Sequence, residues 1–160
     1  MTKKRVLITG GSGLLAINWA CAVRDDWDVV LGIHRHKVVL DGTDSYKLEL
    51  GHLDILEKQL AQLSPDLVIH TAGMTSVDQC EQEPELAEQI NASLARNIAI
   101  ATIKSNIPLV HISTDHLFSG NGRNYKEDSA VNPINEYGRT KALAEEWVQT
   151  ENKAALIIRT

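Results

Sequence analysis

"RVLITGGSGLLAINWA", residues 5–20, decides the fold. Residues 5–9 form a short apolar run rich in valine, leucine and isoleucine, as in a buried strand. A glycine-rich turn follows, and from Leu14 the pattern is helical. Gly10, Gly13 and Ala16 recur at intervals of three. Glycines permit the tight turn and the close approach of a pyrophosphate. The helix start offers unpaired N–H groups and partial positive charge to that anion, and a small Ala16 lets the helix lie close on the strand. Strand, glycine turn and helix, in this order at the head of a βα repeat, point to dinucleotide binding.

The same alternation continues along the chain. Strands are expected at Arg5–Thr9, Asp28–Ile33, Tyr46–Glu49, Asp66–His70, Leu109–Ile112 and Leu156–Arg159. Helices are expected at Leu14–Arg24, Ile55–Leu63, Pro84–Ser105 and Glu136–Glu151, with an irregular link at "VVLDGTDS", residues 38–45. Apolar strands alternating with helical segments imply an α/β fold, a doubly wound parallel sheet of about six strands in one NAD(P)-binding Rossmann domain, residues 1–160. The one long loop, "SGNGRNYKEDSAVNPIN" at 119–135, carries turn residues, and a loop of that length in a compact domain is usually functional.

Composition removes whole classes of function. With 43% hydrophobic residues, 23% charged residues and a net charge of −5, the chain has the balance of a globular protein and little to attract nucleic acid. Its two cysteines, Cys21 and Cys80, show neither disulfide-framework nor zinc-knuckle spacing, so a reducing, cytoplasmic setting is expected. The apolar run near the N-terminus is too short for a signal peptide, and no segment has the length and apolarity of a membrane span. The six histidines, His70 and His111 included, show no spacing that gathers metal ligands, and no metal is expected.

Further along, "IHRHK" at 33–37 follows the second strand, where an NAD-binding fold commonly offers an acidic side chain to the ribose 2′-hydroxyl. His34, Arg35, His36 and Lys37 suit a 2′-phosphate instead, and the planar fork of Arg35 suits it best, so NADP(H) is expected, with NAD(H) as the alternative. After the fourth strand, Ala72 and Gly73 in "VIHTAG" let a cofactor lie against backbone. The fifth strand runs into Ser113, Thr114 and Asp115 at the sheet edge where ligands of parallel sheets bind. Tyr137 and Lys141, four apart in "NEYGRTKALAEEW", share one helix face, a spacing compatible with a proton-transfer pair and equally with two surface side chains.

Taken together, Gly10-x-x-Gly13-x-x-Ala16, "HTAG", "ISTDHLFSGNG", "YKED" and "YGRTK" resemble an extended short-chain dehydrogenase/reductase. "STDHLFSG" followed by "NPINEYGRTKALAEE" resembles the dTDP-4-dehydrorhamnose reductase branch, which reduces a 4-keto nucleotide sugar. The resemblance implies catalytic roles for Thr114, which orients the substrate carbonyl, with Ser113 as substitute, for Tyr137, which protonates the developing alkoxide, and for Lys141. The lysine would lower the pKa of the phenol and hold ribose hydroxyls. It also implies cofactor contacts at Gly10, Ser12, Gly13, Leu14 and Leu15, at His34 and Arg35, at Glu49 and Leu50, at Ala72 and Gly73, and at Lys141.

Glu49 stands where the family tends to place an aspartate near the adenine. His116 stands where related dehydratases carry an acidic glutamate, which argues against dehydration. Members of the family also carry a second lobe for the nucleotide sugar, and the sequence stops at "ALIIRT" in the sixth strand. The expectation is a cofactor-binding portion that turns over no substrate alone and self-associates through Leu156–Arg159 as a homo-oligomer. Two other readings stay open: a non-catalytic NADP-binding regulatory subunit like that of methionine adenosyltransferase, and a nucleotide-sugar epimerase.

Overall fold

The structure, a computed structural model, describes residues 2–160. Strands β1 (Arg5–Thr9), β2 (Asp28–Ile33), β3 (Thr43–Lys47), β4 (Leu67–His70), β5 (Leu109–Ile112) and β6 (Leu156–Ile158) form one sheet in the order β3-β2-β1-β4-β5-β6. Every pairing is parallel. Because β1 is flanked by β2 on one side and β4 on the other, the strand order reverses there, and a crevice opens at the carboxyl edge between β1 and β4.

Alternate residues of each strand serve two cores. Leu7, Val30, Val68 and Leu109 meet α2 (Leu53–Leu63), α5 (Leu94–Lys104) and α6 (Glu136–Glu151) through Leu56, Leu60, Ile98, Ala144 and Val148. Val6, Ile8, Val29, Leu31 and Ile69 meet α1 (Leu14–Val23) through Ala16 and Ala20, both fully buried. The small Ala16 does bring the helix close to the sheet, as its position after the glycines implies.

Three elements depart from the sequence pattern. The third strand is Thr43–Lys47, not Tyr46–Glu49, so part of the supposed link at 38–45 is strand. Its residues are mostly polar because it is an edge strand, whereas the apolar Leu48 that suggested a strand packs just beyond it, 3% exposed, with its N–H bonded to the Ile33 carbonyl. A short helix α3 (Val77–Gln82), capped by Ser76, was not legible as a periodic segment. The long fourth helix begins as α4 (Pro84–Glu88), widens into a π-helical turn at Gln89–Ser93 and continues as α5. The π turn carries Asn91 into the interior, 1% exposed. Elsewhere the expected bounds agree within two residues.

Candidate active site

The turn after β1 is shaped by steric exclusion. Gly10 has φ +66°, and a Cβ there would lie 2.8 Å from the Ala72 backbone. A Cβ on Gly11 would lie 2.8 Å from the Leu31 side chain and 3.0 Å from its backbone. The turn is thus pressed between the ends of β4 and β2, and part of its glycine requirement comes from that packing as well as from any ligand. Gly11 was missed in the sequence; the glycine doublet was its only signal. Gly13 caps α1 without a side-chain hydrogen bond, and no acidic residue occupies the first turn. The N–H groups of the first turn of α1 therefore have no side-chain cap and no nearby acid to offset their partial positive charge. Ser12, Gly13, Leu14 and Leu15 are exposed around it.

His34, Arg35, His36 and Lys37 form an exposed bend after β2. Among the described residues none of these four takes part in an ion pair. Glu49 and Leu50 follow β3 at the same sheet edge; the Glu49 carboxylate accepts the Gly51 N–H at 3.2 Å, and the Leu50 carbonyl accepts from Asn97 at 2.8 Å. After β4, Ala72 and Gly73 border the crevice, and buried Asn91 ties this turn down. Its side chain accepts the Met74 N–H at 2.7 Å, donates to the Met74 carbonyl at 3.1 Å and donates to Thr140 of α6 at 3.0 Å. Asn91 was not legible as a site residue, because its importance arises from the π turn that aims it inward.

The residues expected to transfer the proton stand opposite. Asn135 caps α6 by accepting the Gly138 N–H at 2.7 Å. At Gly138 any Cβ would run into the His116 carbonyl oxygen, so this glycine lets the helix start close against the 3₁₀ turn Asp115–Leu117. That approach sets Tyr137 beside Thr114 and edge-on to His116, with ring centroids 5.3 Å apart. Thr114 is 5% exposed and accepts the His116 N–H at 3.2 Å. Thr114 and Tyr137 are therefore brought together, while Lys141 is not brought to them; Ser113, also buried, is not engaged through its hydroxyl.

The electrostatics correct one expectation. Burial pushes the Tyr137 phenol above its ordinary pKa; a hydrogen bond with Thr114 opposes the rise, and Cys80 and Asp115 add to it. The anticipated lowering by Lys141 does not occur. Lys141 is 6% exposed and turned toward β5, where Nζ donates to the Ile112 carbonyl at 2.7 Å and lies 3.5 Å from His111 Nε2. Burial brings the ammonium down to about 8 against the smaller opposing effect of Glu145. His70 is driven to about 3 and His111 well below its ordinary range, by burial first and the Lys141 charge second. Both histidines are core residues. Among the described residues no cluster of His, Cys, Asp and Glu could hold a metal ion, and no helix is long and apolar enough to cross a membrane.

Known proteins resemble this chain in sequence and fold. The profile of the RmlD substrate binding domain family matches residues 4–160. The spore coat polysaccharide biosynthesis protein SpsK of Bacillus subtilis is 34% identical across 100% of this chain and 53% of its own length. The beta subunit of methionine adenosyltransferase 2 of Xenopus tropicalis is 31% identical over 98% of this chain and 46% of its own. The crystal structure of dTDP-4-dehydrorhamnose reductase from Bacillus anthracis, in complex with NADP, superposes with a TM-score of 0.86 at 32% identity, covering 99% of this chain and 54% of that one. The chain spans about half the length of these relatives.

Proposed function

The chain belongs to the RmlD substrate binding domain family, and from that premise we propose that it carries the NADP(H)-binding and proton-transfer site of a 4-keto nucleotide-sugar reductase. The observation that carries this reading is Tyr137 set beside Thr114 at the sheet edge that bears the glycine turn, with Lys141 one helical turn along α6 and bonded to the Ile112 carbonyl. The cradle fits a dinucleotide: Gly10, Gly11 and Gly13 put no Cβ into it, no side chain caps α1 and no acid stands in its first turn. Gly10, Ser12, Gly13, Leu14 and Leu15 would hold the pyrophosphate, His34 and Arg35 the 2′-phosphate, Glu49 and Leu50 the adenine side, Ala72 and Gly73 the backbone-facing edge, and Lys141 the ribose hydroxyls. The nicotinamide, when bound, supplies the hydride.

The chain's own residues supply the proton. A phenol raised by burial is protonated at neutral pH, which suits a donor to an oxygen that gains charge as a ketone is reduced. Thr114, beside that phenol, orients the carbonyl and then steadies the phenolate left behind. The cation of Lys141, one helical turn along α6, favours the same phenolate once ribose hydroxyls draw it toward the crevice. Two free cysteines, Cys21 and Cys80, support a reducing compartment such as the cytoplasm.

In the whole protein, Tyr137→Phe should reduce the rate by about 10²–10⁴-fold and leave NADPH affinity nearly unchanged, since the hydroxyl gives the proton but little contact area. Retention of most of the rate would assign the acid elsewhere. A non-catalytic NADP-binding regulatory subunit is the second reading, favoured by the 31% identity with the methionine adenosyltransferase subunit. Stimulation of a partner enzyme without NADPH consumption would select it.

A further inference from the structure

Strand register sets three polar residues in one row under α5 and α6. Thr9 of β1 stands opposite His70 of β4, and His70 stands opposite His111 of β5. All three are fully buried. Thr9 Oγ1 lies 2.7 Å from His70 Nδ1, and the two imidazoles stack with centroids 5.4 Å apart. The row ends at Lys141, whose Nζ is 3.5 Å from His111 Nε2.

An ammonium has hydrogens only to give. His111 Nε2 must then accept, which leaves the ring hydrogen on Nδ1, and Nδ1 is buried with no partner. A buried N–H without an acceptor is rare and calls for a cause. Lys141 is that cause, because the other tautomer would set an N–H against the ammonium.

We propose that His111 is the positioning residue of Lys141, holding the lysine in both of its protonation states by exchanging tautomers. With Lys141 charged, Nζ donates to Nε2 of the Nδ1–H ring. With Lys141 neutral, the amine lone pair accepts from Nε2–H of the other tautomer. The exchange balances: the ammonium hydrogen ends on Nε2, the Nδ1 hydrogen passes to solvent water or hydroxide during local opening of the fold, and the pair loses one proton in all. The other titratable groups facing the pair are His70, across the stack, and Glu145 of α6, which Arg159 engages at 2.7 Å. Lys141 titrates at about 8, while burial keeps both imidazoles uncharged over that range.

The test is a heteronuclear NMR titration of the protein labelled at histidine and lysine, from about pH 6.5 to about pH 9.5. His111 should pass from Nδ1–H to Nε2–H with the midpoint of Lys141. A ring that is Nε2–H throughout, or Nδ1–H throughout, overturns the inference. His111→Leu should move the Lys141 midpoint by about one pH unit, a tenfold change in proton affinity, and His111→Gln, which offers both an acceptor and a donor, should restore it. An unmoved midpoint in His111→Leu also overturns it. If neither variant folds, the titration of the unaltered protein decides alone. The catalytic bearing of this pair rests on the reductase reading, but the titration needs no cofactor: failure to bind NADPH would sink that reading and leave the tautomer exchange standing.

Discussion

The two sides of the crevice are made of different material. The turn after β1 is backbone: Gly10, Gly11 and Gly13 contribute no side chains, and what matters is the space left by their missing Cβ atoms and the free N–H groups of α1. The opposite side is side chain: on the proposed reading Thr114, Tyr137 and Lys141 would act through hydroxyl, phenol and ammonium, and burial moves the titration of the last two. A backbone site tolerates no added atom and has no titration. A side-chain site tolerates conservative change and is governed by pH.

The sharpest way to break this contrast is Gly10→Val. A β-branched residue at φ +66° costs about 1–2 kcal/mol for the left-handed backbone alone. Contact with the Ala72 backbone adds to that, so chemical denaturation should show a large loss of stability and calorimetry no NADPH binding. Gly42→Ala is the control: φ is +78°, but the nearest atom to a new Cβ is the flexible Arg24 side chain at 3.6 Å, so NADPH binding should survive.

Next in size is the acid response of the side-chain half. His70 titrates at about 3 when folded against 6.5 ordinarily, so the unfolded chain takes up the proton first. Stability should be complete above pH 6.5 and fall as pH drops from there toward 3, by roughly 1.4 kcal/mol per pH unit for His70 and by a similar slope for His111, also held well below its ordinary value by burial. Lys141 acts at the other end: its folded value is about 8 against 10.5, so stability should rise with pH between those values. Thermal melts across pH would show both limbs, and His70→Asn should make the acid one shallower, leaving the part due to His111.

Asn91→Leu tests the tie between the halves. It leaves the Met74 N–H and carbonyl without their partner and should cost about 1–3 kcal/mol in urea unfolding, with weakened NADPH binding as the turn at Ala72 and Gly73 loosens. The smallest effect belongs to Arg35→Ala. The side chain is exposed and takes part in no ion pair among the described residues, so stability should move by less than about 0.5 kcal/mol. The preference for NADPH over NADH should shrink by roughly tenfold, the value of a charge-assisted hydrogen bond. Equal affinities in the unaltered protein would remove the 2′-phosphate assignment.

Legibility followed the same division. β1, β2, β5 and α6 carry their own signal, in apolar runs and in the Asn135 cap, and their bounds agree with the sequence reading. β3 does not, because an edge strand lacks the apolar alternation of buried ones and Leu48 beyond it imitates a strand residue. Gly138 sits in plain view inside "YGRTK", yet its reason is the carbonyl of His116, contributed by a distant turn.

The sequence by itself determined the alternation of strands and helices, the glycine turn at the head of the first unit and the four-residue spacing of Tyr137 and Lys141, because each is written within a few neighbouring residues. Only the tertiary structure decided where the charges go. The i, i+4 spacing permits Lys141 to approach Tyr137, but parallel register at β4 and β5 places His111 and the Ile112 carbonyl under α6, and the ammonium turns to them. Desolvation and hydrogen bonding depend on atoms distant along the chain, which is why Tyr137 has its pKa raised where the family resemblance implied it would be lowered.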